Sequence, residues 1–218
     1  MCHPVISSAS SRQKRPGERE FLLPAIKANV EQVEEGFRRR NALCENTVVS
    51  FEAHAPSLGE MEARIQKITE QFPWLVCTRD GEVLGYAYAC PHRERSAYRW
   101  SVDVAVYVDA RCHRPGVGRA LYTALIKILA LQGHFKACAG ITLPNAASIG
   151  LHEALAFRPV GVYRGVGYKL GAWRDAGWWQ LALQDEHPDP TEPRGVRLIE
   201  ASPGWQGARE AGARLLRA

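Results

Sequence analysis

The run Trp100-Ser-Val-Asp-Val-Ala-Val-Tyr-Val108, the loop His113-Arg-Pro-Gly-Val-Gly118 and the segment Arg119-Ala-Leu-Tyr-Thr-Ala-Leu-Ile-Lys-Ile-Leu-Ala-Leu-Gln-Gly133 decide the fold. The first, with valine at alternate positions, predicts a strand from Tyr98 to Val108. In the last, Ala120, Leu121, Ala124, Leu125, Ile128 and Leu129 recur at helical spacing, and Gly133 supplies the stop. The period changes from two to 3.6 at the glycines. A helix that opens there directs its unpaired first amides, and the positive end of its dipole, at any anion in front of it. Gly116, Val117 and Gly118 let the backbone approach closely, while Arg114 and Arg119 add charge. No Gly-Lys-Ser/Thr follows, and the full G-x-G-x-x-G is missing, so neither a Walker loop nor a dinucleotide fingerprint is present. A plain tight turn would explain the same glycines.

Working outward, strands and helices alternate. Phe21–Ile26 reads as a short strand and Asn29 as the cap of a helix carrying Val30, Val33, Phe37 and Ala42. Ser57 and Glu60 form a capping-box pattern before Met61, Ile65 and Ile68. Asp80-Gly81 between Trp74–Thr78 and Val83–Ala89 predicts a hairpin. Downstream come a strand from Phe135 to Leu143, a helix from Asn145 to Ala156, and strands over Val160–Tyr168 and Gly177–Leu183. The class is α/β with a mixed sheet. Residues 1–20 read as a mobile tail. After Gln184 the Pro- and Asp-rich stretch His187–Pro193 reads as a linker, before a short helix from Trp205 to Leu216.

The chain has 218 residues, 46% of them hydrophobic and 23% charged, which fits one globular domain with extensions and excludes collagen, coiled coil and low complexity. Net charge is +5, but residues 1–20 and 205–218 carry +2 each, leaving a near-neutral body that argues against a nucleic-acid domain. No apolar run is long enough to span a bilayer and no leader pattern opens the chain, so no membrane partner and a cytoplasmic location are expected. The six cysteines lack any C-x-x-C pair, and free thiols without a metal are expected.

Three sets of residues are candidates for chemistry. Asp103 is a carboxylate within an apolar strand, and such a group is paired, hydrogen-bonded or functional. His152 lies two helical turns after Asn145, so both project from one helix face, where a histidine serves packing or proton transfer. Phe51, Tyr98, Trp100 and Tyr107 are either core or walls of a pocket, and Trp173, Trp178 and Trp179 serve packing or a subunit interface.

The Arg-x-Gly-x-Gly loop after this strand resembles the pyrophosphate loop of the GNAT family of acetyl-CoA-dependent N-acetyltransferases, with His113 where that family usually has Gln or Arg. Phe72-Pro-Trp-Leu-Val76, Ala97-Tyr-Arg-Trp100, Leu143-Pro-Asn145, Leu151-His-Glu-Ala-Leu-Ala-Phe157, Gly167–Trp173 and Asp175–Gln180 are similar to its phosphinothricin and methionine-sulfone acetyltransferase branch. The resemblance runs from Phe21 to Gln180 and implies a GNAT domain over 21–183, a central splayed sheet flanked by helices, and a C-terminal extension over 184–218.

It also implies a function. Acetyl-CoA would bind at Val106, Tyr107 and Val108, at the loop Arg114, Gly116, Val117, Gly118 and Arg119, and at Asn145. Asp103 stands where the branch has a Glu base, one methylene shorter, which favours proton transfer through water. His152 stands where many GNAT enzymes have a Tyr that protonates the thiolate. Phe51, Tyr98 and Trp100 would line a pocket for a small amino-acid-like primary amine, and a homodimer is expected. The competing readings are a peptide or protein N-acetyltransferase and a non-catalytic acyl-CoA-binding module.

Overall fold

A computed structural model describes residues 19–22, 44–79, 82–109 and 116–216. The helix expected after Asn29 and the turn at Asp80-Gly81 lie outside them. Seven strands form one sheet, β1 (Arg19–Leu22), β2 (Trp74–Arg79), β3 (Glu82–Pro91), β4 (Ser101–Val108), β5 (Lys136–Leu143), β6 (Arg158–Lys169) and β7 (Ala172–Ala182), in the order β1-β2-β3-β4-β5-β7-β6. Only β4 and β5 pair in parallel, so the sheet is mixed as expected.

Helix α1 (Leu58–Thr69) starts on the predicted capping box: the Ser57 amide donates to Glu60 Oε2 at 2.7 Å and the Glu60 amide to Ser57 Oγ at 3.3 Å. Helix α2 (Val117–Gln132) ends at Gly133, whose φ of 96° is one that glycine adopts without cost. Helix α3 (Ala146–Ala154) follows β5, capped by the Asn145 side chain, which accepts the Ser148 amide at 3.1 Å. Short α4 (Val196–Ile199) and α5 (Pro203–Ala213) close the chain. No helix of the described residues is long and apolar enough to cross a membrane.

Strand alternation sorts the sheet into two faces. Leu75 and Cys77, Ala87 and Ala89, Val102 and Val104, and Ala137, Ala139 and Ile141 lie in one buried cluster with the apolar stripe of α2. Each leucine or isoleucine buried there contributes roughly 1.5–3 kcal/mol. On the opposite face Trp74 and Val76 pack with Met61 and Ile65 of α1. Beside them the rings of Trp74, Tyr86, Tyr88 and Tyr107 stack, with centroids 4.4–5.3 Å apart along the row.

The C-terminal segment contributes side chains to this core. Val196, Ile199, Trp205 and Ala208 join the α2 cluster, and Gln132 Nε2 donates to the carbonyls of Gln71 and Arg194. The linker composition hid this, because polar contacts to backbone leave no apolar periodicity in the sequence.

The strand expected from Tyr98 begins only at Ser101. Arg99 donates its amide to Ser96, and Ser96–Tyr98 form a 3₁₀ turn, while the Trp100 carbonyl already accepts the Phe135 and Lys136 amides at the start of β5. Two residues of β1 lie before the boundary expected at Phe21.

Buried histidines tie stability to pH. His134 stacks on Phe72 at 5.8 Å, and burial pulls its pKa from 6.5 down to about 4, a hydrogen bond to the Arg99 backbone opposing. The unfolded chain binds that proton near 6.5 and the native chain only near 4, so its stabilisation is full above 6.5 and is lost as pH falls through that window. Between pH 7 and pH 5 the loss is about 2 kcal/mol. Thermal melts of His134→Phe are expected to show a smaller fall in Tm over that range than wild type. Equal falls would refute the assignment.

Candidate active site

The ladder between β4 and β5 has three rungs, Ser101↔Lys136, Val102↔Ala137 and Asp103↔Cys138, and then stops while both strands continue. Residues 104–108 and 139–143 therefore face each other across an opening in the sheet. This is the splay the family resemblance implied. The Asp109 amide donates to Leu84 on β3, so alternation turns the amide and carbonyl groups of Val106 and Val108 into the opening. Tyr107 faces the other way: its carbonyl oxygen lies 2.7 Å from where a Cβ on Gly85 would sit.

At the far end of the opening, Gly116 caps α2 with φ 84°, and the first intrahelical bond runs from the Ala120 amide to the Gly116 carbonyl at 2.8 Å. The amides of Val117, Gly118 and Arg119 precede that bond, at the N-terminal end of the helix. A Cβ on Gly118 would meet Leu151 at 3.2 Å and Val108 at 3.4 Å, so glycine brings the helix start onto β4 and α3. A Cβ on Gly116 would lie 2.6 Å from the Leu215 carbonyl, which places the chain's C-terminal turn against the loop. Arg114 lies outside the described residues.

Asp103 occupies the last rung, on the face away from α2. His92, just past the end of β3, donates Nδ1–H to Asp103 Oδ1 at 2.6 Å. Burial pushes the Asp103 carboxyl up from its ordinary value, while the His92 hydrogen bond and charge, with Arg93, pull it back. Cys138 on β5 offers its thiol within 4.8 Å of both partners, and Gln180 Nε2 approaches that sulfur at 3.8 Å. Burial and the nearby carboxylate push the Cys90 thiol up to about 11. Tyr98 and Trp178 stand edge-on to the His92 ring at 5.9 and 6.0 Å, and the Arg93 guanidinium lies over Trp178 at 5.6 Å.

His152 lies on the other face. It is 3% exposed, packed edge-on against Tyr122 and Phe157. Its Nδ1–H donates to the Ser148 carbonyl at 2.8 Å, which leaves Nε2 to accept the Tyr122 hydroxyl at 3.1 Å. Burial lowers its pKa, with the Ser148 bond opposing. In this tautomer both ring nitrogens are engaged within the protein, Nδ1 with Ser148 and Nε2 with Tyr122. The structure does not bring His152 and Asp103 together. Asn145, expected on the same helix face, commits its side-chain oxygen to the α3 cap.

The expected pocket walls separate. Tyr98 joins the His92–Asp103 pair. The Trp100 indole instead donates to the Thr191 carbonyl at 2.8 Å, under the Arg99 guanidinium, which ties it to the C-terminal segment. Phe51 lies over Gly167 of β6, where a Cβ would sit 2.8 Å from its ring. Its loop is held by buried Lys169, whose ammonium donates to the carbonyls of Cys44 at 2.6 Å and Ser50 at 2.5 Å.

A split between two parallel strands, followed by a glycine-opened helix, is matched by the family comparison: the model of the acetyltransferase (GNAT) domain fits residues 33–178. The chain belongs to the GNAT acetyltransferase family. It is 39% identical over 159 residues to a phosphinothricin N-acetyltransferase of Streptomyces viridochromogenes, spanning 73% of this chain and 85% of that one. It is also 39% identical over 119 residues to an L-methionine sulfoximine/L-methionine sulfone acetyltransferase of Salmonella typhimurium, covering 55% of this chain and 69% of the relative. Among solved structures, a GNAT superfamily phosphinothricin acetyltransferase from Sinorhizobium meliloti in complex with AcCoA superposes with TM-score 0.73 at 29% identity, over 81% of this chain and 95% of that one.

Within this GNAT frame, sequence reasoning missed His92. Its nearest signal was a histidine three residues past the expected strand Val83–Ala89, beside Pro91 and Arg93, which by itself reads as loop. Only the β3–β4 register, pairing Cys90 with Asp103, brings it to the carboxylate.

Proposed function

We propose that this GNAT enzyme transfers the acetyl group of acetyl-CoA to the primary amine of a small amino-acid-like acceptor of the phosphinothricin or methionine sulfone/sulfoximine type. The observation that carries the reading is the coincidence of the sheet opening with Asp103 at its last paired rung. Acetyl-CoA, when bound, supplies an activated acetyl thioester. The chain's own groups suit it: amides of Val117, Gly118 and Arg119 for the phosphates, and the inward backbone of Val106 and Val108 for the pantetheine arm. An amide there acts as donor to the thioester carbonyl, where negative charge develops.

The acceptor side is the opposite face, framed by Tyr98, Trp178 and the Arg93 guanidinium. A guanidinium near a polar pocket suits an acceptor carrying a carboxylate. Asp103 serves removal of the amine proton. This scheme uses proton transfer and backbone donors and calls for no metal, nucleic acid or membrane.

Two finer points belong to the same proposal. Free Cys44, Cys77, Cys90 and Cys138 suit the reducing cytoplasm. The outer strand β6 exposes Val160, Val162, Tyr163, Val166 and Tyr168, with Trp173 beside them on β7, an apolar edge that suits a homodimer.

The deciding assay follows thiol release from acetyl-CoA with phosphinothricin, methionine sulfone, methionine sulfoximine, free amino acids, polyamines and peptides with free N-termini. The expected result is the highest kcat/KM for an amino-acid analogue with a compact polar side chain. Higher values for peptides or polyamines would overturn the acceptor class, and acetyl-CoA binding with no turnover on any amine would favour a binding module.

A further inference from the structure

Resting on the acetyl-transfer reading above, we propose that His92 is the catalytic base of this enzyme and that Asp103 is the positioning residue that orients it. The inference starts from geometry. The His92 Nδ1–H is held by Asp103 Oδ1 at 2.6 Å, which fixes the tautomer with the Nε2 lone pair free. Among the described residues no protein group takes Nε2, that atom is not among the buried unpartnered ones, and the His92 side chain is 17% exposed. Tyr98 and Trp178, edge-on from two sides, hold the ring in its plane. Asp103, by contrast, already commits one oxygen to His92 and extends a single methylene from its strand. An imidazole backed by a carboxylate projects further from the strand than the carboxylate itself and carries a basic nitrogen at its tip.

The titratable and charged groups facing this pair are Cys90 from β3, Cys138 from β5, Arg93 beside it and the hydroxyl-bearing Tyr98. None offers a second base with a free lone pair: the Cys90 and Cys138 thiols are both held protonated by burial, and Arg93 is cationic. Cys138 also completes a group of three side chains with His92 and Asp103, but the short His92–Asp103 hydrogen bond already pairs two of them.

The protons balance. An acceptor ammonium carries three N–H protons and the product amide one. His92 Nε2 takes the first and releases it to solvent, which frees the nitrogen lone pair. As the N–C bond forms and the C–S bond breaks, the second proton leaves the nitrogen and ends on the sulfur of CoA.

The test uses the full chain and whichever amine wild type acetylates best, so it does not depend on the acceptor class. His92→Asn keeps a side-chain N–H for Asp103 but has no basic nitrogen. We expect kcat to fall about 10²-fold or more with KM for the amine and the acetyl-CoA Kd within about threefold of wild type. In His92→Ala, free imidazole at millimolar concentration should restore turnover in a saturable way, steeper as pH rises through the range where added imidazole becomes neutral. Turnover of His92→Asn within threefold of wild type overturns the proposal. So does a loss that imidazole fails to rescue and that is accompanied by a rise in KM, since that is the signature of a wall residue. If peptides prove the best acceptors while imidazole rescues His92→Ala, the acceptor class fails and the base stands.

Discussion

Asp103→Asn is expected to bind acetyl-CoA as tightly as wild type in a calorimetric titration and to turn over about 10²–10⁴-fold more slowly. The carboxylate lies at the last rung between β4 and β5 and touches the backbone donors of neither Val106 nor the α2 start, so binding is spared. Turnover suffers because an amide in its place can present either an N–H or an oxygen to His92. Where it presents the N–H, the imidazole is left in the tautomer whose Nε2 carries the proton and cannot accept another. Asp103→Glu should fall between the two. With the Asp103–His92 contact already at 2.6 Å, an added methylene has room only by displacing the imidazole. Wild-type kcat in Asp103→Asn across the pH profile, at unchanged Tm, would remove Asp103 from the chemistry.

Gly118→Val acts on the other half of the reaction. Its first added carbon already stands 3.2 Å from Leu151 and 3.4 Å from Val108, and two further methyls extend that overlap toward the inward backbone of β4. Overpacking of this kind typically costs about 1–3 kcal/mol. Moving the helix start off the strand spreads the Val117, Gly118 and Arg119 amides away from a phosphate, so acetyl-CoA affinity should drop by roughly ten- to a hundredfold. Gly118→Ala, where Leu151 needs to yield only slightly, should lose severalfold at most. Calorimetry on both variants, with circular dichroism to confirm the fold, checks the order. Equal affinity in wild type and folded Gly118→Val would place the phosphates elsewhere.

What the sequence made legible divides along physical lines. Local signals held: the Ser57–Glu60 box, the Gly133 stop and the switch of period at Gly116 each depend on residues within one helical turn, and each stands where expected. Nonlocal pairing did not show. The end of the β4–β5 ladder at Asp103↔Cys138 is a property of two strands separated by a helix, and the splay was available only through family resemblance. Trp100 and Tyr98 read as strand because aromatic residues favour strands, yet the Ser96–Tyr98 turn, with Glu192 paired to Arg99 and Thr191 to the Trp100 indole, delays the strand to Ser101. His152 was read from its helix position, but its burial comes from Tyr122 and Phe157, on other elements. Asp103 meets a loop histidine, His92, that no periodicity marks.

The central claim is that acetyl transfer takes place in the opening between β4 and β5, with the acceptor on the His92–Asp103 face. A crystal structure of the enzyme with CoA and its best amine acceptor tests this most directly. The account predicts the pantetheine arm between Val106–Val108 and residues 139–143, the phosphates on the α2 start, and the acceptor nitrogen within hydrogen-bond reach, about 3 Å, of His92 Nε2 directly or through one water. An acceptor bound on the His152 face, or CoA lying outside the opening, would contradict it.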